Sequence, residues 1–140
     1  MATEDMYMDD KDIQIDSQLF ESELISIDQV LPNQIYLIPI RYRPIFPGIV
    51  TPLIISEGRF SDAIDKVLNS TRTIGLVLLK DDNIEDIAPR ELYLYGTAAK
   101  ILKKINLPDG GINVLINSIK RFTIKKIISE KPHIIADVEY

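Results

Sequence analysis

The sequence predicts a mainly β domain with one or two helices, arranged as a small, partly closed β-barrel. Only residues 58–69 show the i, i+4, i+7 apolar spacing of a core-facing helix. About six apolar runs have strand character, and two long ones flank the hairpin signal Pro108-Asp109-Gly110-Gly111. One helix among so many strands favours a barrel that the helix covers on one side.

The first two strands are predicted at residues 35–40 and 49–55, on either side of a corner rich in proline. Pro47-Gly48 suits the centre of a type II turn, since proline fixes a negative φ and glycine accepts a positive one. Pro39 and Pro52 lie inside the two apolar runs and cannot donate a ladder hydrogen bond. We therefore expect these two prolines at sheet edges, at bulges or at strand ends.

The predicted helix places Phe60, Ile64, Val67 and Leu68 along one face, with Ser56 expected as its N-cap. Residues 74–79 then form a continuous apolar run. Such a run is typical of a strand that is buried on both faces.

Two long strands follow at residues 97–107 and 112–128, and the alternation of polar and apolar residues breaks in each. The breaks fall at Leu102-Lys103 and at residues 117–120, so the sequence predicts a bulge at both places. A last strand is predicted at residues 134–140. Because the sequence stops inside that strand, we expect it to be part of a longer chain.

The charge of the sequence is unevenly distributed. Residues 1–30 hold nine acidic residues and a single basic one, Lys11, whereas residues 31–140 are mildly basic. We interpret residues 1–30 as an acidic, disordered arm, because residues 1–18 hold too few apolar side chains to offset the entropy of ordering. For residues 19–30, the apolar residues allow a helix of one or two turns or an extended segment. Residues 31–140 form the predicted β domain.

Composition excludes several kinds of chemistry. The chain has no cysteine and one histidine, His133, which rules out thiol catalysis, thiolate metal sites and histidine-rich metal sites. Phosphate-binding glycine loops and a nucleophile elbow are also absent from the sequence. We expect no catalytic, cofactor-binding or metal-binding residue here, and no enzyme activity from this part alone. No apolar run reaches the roughly 20 residues of a membrane helix, so a cytoplasmic location without membrane contact is expected.

The basic residues of the hairpin raise the possibility of nucleic-acid binding. They lie on both sides of the turn, at Lys100, Lys103, Lys104, Lys120, Arg121, Lys125 and Lys126. Only one aromatic residue, Phe122, lies among them, which is poor for base stacking. We therefore expect weak nucleic-acid binding at most, and favour a role for these lysines in protecting strands from aggregation.

Several short motifs resemble one known family. Ile38-Pro39-Ile40-Arg41, Phe46-Pro47-Gly48 and Pro52-Leu53 resemble the start of the N-terminal domain of the Lon ATP-dependent proteases. The run from Tyr95-Gly96-Thr97 and the turn Leu107-Pro108-Asp109-Gly110 are similar to later parts of that domain. The resemblance covers about residues 31–140 in unbroken order. Arg43-Pro44 and Asn117-Ser118 depart from the family's pattern.

The resemblance implies a PUA-like LON domain at the N-terminus of an AAA+ serine protease that degrades misfolded and regulatory proteins. It also implies assembly into a homo-hexamer, with ATP and Mg²⁺ bound by a downstream ATPase domain. The alternative is a stand-alone LON or PUA-like module that binds peptides or RNA.

The implied partners are unfolded or tagged protein substrates. Extended peptides bind by addition to a strand edge or in an aromatic-lined groove. We predict that Arg41, Phe46, Pro47 and Tyr93 lie near such a surface. The alternative for Phe46 and Tyr93 is that they are core residues.

Overall fold

The computed structural model describes residues 31–83 and 85–140, so the arm predicted at residues 1–30 lies outside the described residues. A short 3₁₀ helix at Pro89–Glu91 precedes the fourth strand. The other elements are β1 (Gln34–Ile40), β2 (Val50–Ile55), α1 (Arg59–Leu68), β3 (Thr73–Leu79), β4 (Leu92–Asn106), β5 (Ile112–Ser129) and β6 (Ile135–Glu139).

The strands form one sheet in the order β2-β5-β4-β3-β1-β6, and β5 also pairs with β6. The second pairing closes a ring of β5, β4, β3, β1 and β6, and β5 is the one described strand that β2 pairs with. Of these six strand pairs, β1 and β3 run parallel and the other five are antiparallel. The predicted mainly β, partly closed architecture is therefore confirmed.

Both predicted bulges are present in the long hairpin. The register between β4 and β5 shifts between Ile101 and Lys103, which leaves Leu102 without a pairing partner across the strands. The register shifts a second time between Ala98 and Ala99, which lie opposite the predicted break at residues 117–120. Each bulge increases the local bend and twist, which allows β5 to pair with β2 at one end and β6 at the other. Strand β4 begins at Leu92, earlier than the predicted residue 97.

The helix begins later than the Ser56 cap predicted from the sequence, because a turn at residues 57–58 follows β2. Gly58 is the N-cap, with a φ of 151°. Its N–H donates to Ser61 Oγ at 3.0 Å, and the Ser61 hydroxyl donates back to the Gly58 carbonyl at 2.9 Å. The expectation for Ser56 was therefore wrong. The predicted apolar face is correct: Ile64 and Val67 are buried, and Phe60 and Leu68 pack against the same core.

Strand β3 is buried on both faces, as predicted. One face belongs to the core under α1, which includes Ile74 and Leu76. On the other face, the Phe122 ring lies over Gly75, and the Tyr140 ring meets Phe122 edge-on at 6.3 Å between centroids. The Tyr140 hydroxyl donates to the Pro32 carbonyl at 2.5 Å, and burial raises the pKa of Tyr140 to about 12.

The proline corner between β1 and β2 is fastened to the bend of β5 by one buried hydroxyl. Ser118 is 2% exposed; its Oγ donates to the Phe46 carbonyl at 2.6 Å and accepts from the Ile49 N–H at 2.9 Å. The Ser118 N–H also donates to the Ile49 carbonyl at 2.8 Å. Gly48, the predicted turn glycine, has a φ of 85° and donates its N–H to the Ser118 carbonyl.

We expect Ser118→Ala to lower the free energy of unfolding by about 1–3 kcal/mol, because it leaves a backbone N–H and a carbonyl without their partner. The measurement is urea denaturation followed by circular dichroism. Ser129→Ala is the matched control, since the Ser129 hydroxyl makes a longer hydrogen bond, 3.3 Å, to an exposed carbonyl. Equal shifts for the two variants would show that Ser118 does not hold the corner.

Candidate functional site

Among residues 31–83 and 85–140, strand β2 has one edge without a paired strand, and its hydrogen-bonding pattern shows which groups lie on it. The Ser118 N–H bonds to the Ile49 carbonyl, and Val50 lies opposite Asn117. Residues in an antiparallel pair alternate between bonding to the partner strand and pointing away from it. The backbone groups of Val50, Pro52 and Ile54 therefore point away from β5. Pro52 stands at an edge position, as its missing N–H predicted.

Strand β1 has a second edge, over its last residues, that no other described strand pairs with. It pairs with β6 from Gln34 to Tyr36, and the Leu37 N–H donates to the Ile134 carbonyl at 2.8 Å. The Pro39 nitrogen lies on the same side of the strand as the Leu37 N–H, because alternate residues share a side. Since β6 begins only at Ile135, pairing on this side stops before Pro39. Both strand prolines thus occupy positions where no ladder donor is needed.

A groove lies between these two free edges, and we call it the edge groove. It consists of two adjoining cavities of about 360 and 320 Å³, which share five lining residues: Ile38, Pro39, Arg41, Ile54 and Ile55. Ile38 and Ile55 are buried and form an apolar floor, whereas the Ile54 side chain is 75% exposed. The edge groove therefore combines unpaired strand backbone with an apolar base.

The two ends of the edge groove differ in charge. One end, which we call the basic end, is lined by Arg41 and Arg43 together with Tyr42, Ile45 and Leu53. The other, which we call the acidic end, adds Glu57, Glu85 and Asp86, and it also contains Arg59, Phe60 and Ile87. The Arg59 guanidinium lies 4.7 Å from the centre of the Phe60 ring and donates to the Ile87 carbonyl.

The backbone at the basic end adopts an uncommon conformation. Tyr42 has a φ of 74°, and the Arg43 N–H donates to the Arg41 carbonyl at 2.9 Å, which makes a γ-turn of the rare positive-φ kind. Asp82 supports this turn: its Oδ1 accepts from the Tyr42 N–H at 3.2 Å, and its carbonyl accepts from the Arg41 guanidinium. The Tyr42 side chain is 77% exposed. Strained backbone of this kind concentrates at functional sites.

The structure brings only one of the four predicted site residues into the edge groove. Arg41 lines both cavities. Phe46 and Pro47 are exposed on the proline corner, where the Arg121 guanidinium lies 5.9 Å from the centre of the Phe46 ring. Tyr93 is exposed near the start of β4. Phe46 and Tyr93 are therefore surface residues and not core residues, and a role for Phe46, Pro47 and Tyr93 in binding stays a prediction.

Sequence reasoning missed Tyr42, Ile54 and the acidic residues of the edge groove. The available signal was the pair Pro39 and Pro52, since a proline in each of two strands marks two unpaired edges. No pattern in the sequence indicates that these edges face each other.

Two polar side chains outside the edge groove, Lys104 and His133, contact other parts of the domain. Lys104 is one of the basic residues that flank the hairpin turn, and it forms an ion pair with Asp65 of α1. The His133 ring is buried, and its Nδ1 lies 3.1 Å from the Arg59 carbonyl, within hydrogen-bonding distance. Within residues 31–83 and 85–140, no three acidic or histidine side chains cluster in a way that would hold a metal ion. The same residues contain no helix with the length and hydropathy needed to cross a membrane.

Comparison with solved structures supports the fold. The Lon N-terminal domain protein of Xanthomonas campestris superimposes with a TM-score of 0.60 at 18% identity, covering 77% of this chain and 59% of that one. The N-terminal domain of the Mycobacterium avium complex Lon protease gives a TM-score of 0.55 at 20% identity, covering 76% and 53%.

Comparison with known sequences identifies the family. Residues 34–140 match the model of the ATP-dependent protease La (LON) substrate-binding domain. The Lon protease of Leptospira interrogans is 44% identical over 124 residues, which is 89% of this chain but 15% of that protein. The Lon protease of Treponema pallidum is 42% identical over 117 residues, 84% of this chain and 13% of that protein. The chain belongs to the LON substrate-binding domain family.

Proposed function

We propose that the edge groove captures extended segments of protein substrates by adding them as a further strand to β2. The observation that carries this proposal is the pair of free strand edges that border one apolar-floored groove. Val50 and Ile54 each offer a backbone N–H and a carbonyl, and Pro52 offers a carbonyl. An added strand supplies the matching groups, and its alternate side chains reach the floor formed by Ile38 and Ile55.

We further propose that the domain serves a longer protein, an ATP-dependent serine protease of the AAA+ class in the cytoplasm that degrades misfolded and regulatory proteins. Support comes from relatives that carry the name Lon protease and of which this chain spans about 15%. ATP, Mg²⁺ and the catalytic residues belong to the parts of that protein beyond this domain, and the protein works as a homo-hexamer.

Binding by strand addition is tested by changing one backbone group. We expect Ile54→Pro to weaken the binding of a fluorescent peptide with a β-prone apolar centre by about tenfold, because proline removes one donor and its ring hinders approach to the edge. The fold should survive, since the Ile54 N–H points away from β5 and Pro52 already occupies the same kind of position. Fluorescence anisotropy measures the affinity, and thermal melting confirms the fold.

Ile54→Ala is the matched control, because it removes the exposed side chain but keeps the N–H. Strand addition requires the proline variant to lose more affinity than the alanine variant. If the alanine variant lost more, the groove would bind through side chains and the proposal would fail. Unchanged binding in both variants would place the peptide elsewhere.

A further inference from the structure

We propose that the edge groove selects extended segments by the order of their charges, with basic side chains before an apolar centre and acidic ones after it. This inference rests on the proposed function, because it describes what the same groove accepts. It follows from three features: the charge at the basic end, the charge at the acidic end, and the direction of β2 between them.

The basic end has two arginines, and none of its described lining residues is acidic; the Arg41 guanidinium donates to the Asp82 carbonyl and lines the other end as well. Arg41 and Arg43 lie on either side of Tyr42, and Arg43 is exposed. The nearby Asp82 carboxylate is directed at the Tyr42 N–H and accepts a hydrogen bond from it at 3.2 Å. Arginine binds carboxylates with a planar, two-pronged geometry, so this end favours an Asp or Glu side chain or a C-terminal carboxylate.

The acidic end presents three carboxylates. Glu57 follows β2, and its carboxylate lies against Gly110 of the β4–β5 turn, while Glu85 and Asp86 come from the loop after β3. Arg59 and Arg41, which lines both cavities, offset part of this charge, but the Arg59 guanidinium is engaged with the Phe60 ring and the Ile87 carbonyl, and the Arg41 guanidinium donates to the Asp82 carbonyl. This end therefore favours Lys or Arg side chains of a bound segment.

The direction of β2 converts these two ends into a sequence order. The basic end includes Leu53, in the middle of β2, whereas the acidic end includes residues 56–60, which follow the strand. Antiparallel pairs are somewhat more stable per residue than parallel ones. A segment that adds antiparallel to β2 has its N-terminal part at the acidic end and its C-terminal part at the basic end. The favoured order is thus basic, apolar, acidic.

Two peptides of identical composition test this order in the 140-residue chain: KKVTITVEE and its reverse EEVTITVKK, each acetylated and amidated. Reversal changes only the charge order, because the central five residues read the same both ways. Exposed charge pairs contribute modestly and are screened by salt, so we expect the first peptide to bind roughly tenfold more tightly at low salt. The preference should shrink in 0.5 M salt, because the screening length at that concentration is on the order of 4 Å.

The outcomes separate the inference from the proposed function. Equal binding of both peptides, or tighter binding of the reversed one, overturns the charge order and leaves strand capture standing. Binding of neither peptide overturns both. A tenfold preference that disappears in salt supports both.

A variant with two charge reversals tests whether the preference arises in the edge groove. Arg43→Glu with Glu85→Lys removes most of the charge difference between the two ends, because each end then holds positive and negative side chains in similar number, and we expect the double variant to bind the two peptides about equally. Lys125→Glu is the matched control, since it changes the charge of an exposed residue on β5 outside the groove lining. A double variant that keeps the original preference would overturn the inference.

Discussion

Replacing Phe122 by alanine should lower the free energy of unfolding by about 3–5 kcal/mol, the range found when a buried phenylalanine is truncated in a packed core. Phe122 is 3% exposed, and its ring covers Gly75 and Gly96 on two neighbouring strands. Tyr140 packs against the ring edge. The two glycines below the ring have no side chains of their own to move into the cavity, so we expect little relaxation from that side.

Phe46→Ala is the matched control, because it removes the same group from a side chain that is 54% exposed. We expect it to lower the free energy of unfolding by less than about 1 kcal/mol. Urea denaturation of both variants measures the difference. Similar losses would mean that Phe46 is part of the core, against its observed exposure. A stable Phe46→Ala variant with weaker peptide binding would instead support the predicted surface role of Phe46.

Local sequence signals predicted much of the fold. Proline in two apolar runs predicted sheet edges, bulges or strand ends for Pro39 and Pro52, because a missing N–H constrains the backbone wherever the residue lies. Broken alternation predicted the bulge at Leu102, since a register change moves side chains to the other face. The helix N-cap was misplaced because Ser56 suits a cap by residue type, whereas the turn after β2 decides where the helix begins.

The candidate site was much less predictable than the fold. The edge groove joins the end of β1, the end of β2 and the loop that carries Glu85, and these segments are far apart in the sequence. Their meeting depends on closure of the ring through β5 and β6, which no local pattern encodes. Arg41 was identified because it adjoins the proline motif. Tyr42 was missed because its positive φ is set by contacts with Asp82 in a distant loop.

Gly96→Ala should lower the free energy of unfolding by about 3 kcal/mol, the upper part of the usual range for overpacking a core. A Cβ at this position would lie 2.5 Å from the tip of the Phe122 ring and 2.7 Å from the Leu76 carbonyl oxygen. The second contact is with backbone of the neighbouring strand, which cannot move without breaking the pairing of β3 with β4. Chemical denaturation of the purified variant measures the loss.

Gly75→Ala provides the comparison, because its close contacts are with side chains alone. A Cβ there would lie 2.8 Å from the Phe122 ring and 3.0 Å from a methyl group of Leu37. Adding Phe122→Leu removes the ring tip, so we expect it to recover much of the stability lost in Gly75→Ala but little of that lost in Gly96→Ala. Coupling of this kind is expected only between residues that share a contact. Equal recovery in both double variants would mean that the ring alone, and not the Leu76 carbonyl, requires glycine at residue 96.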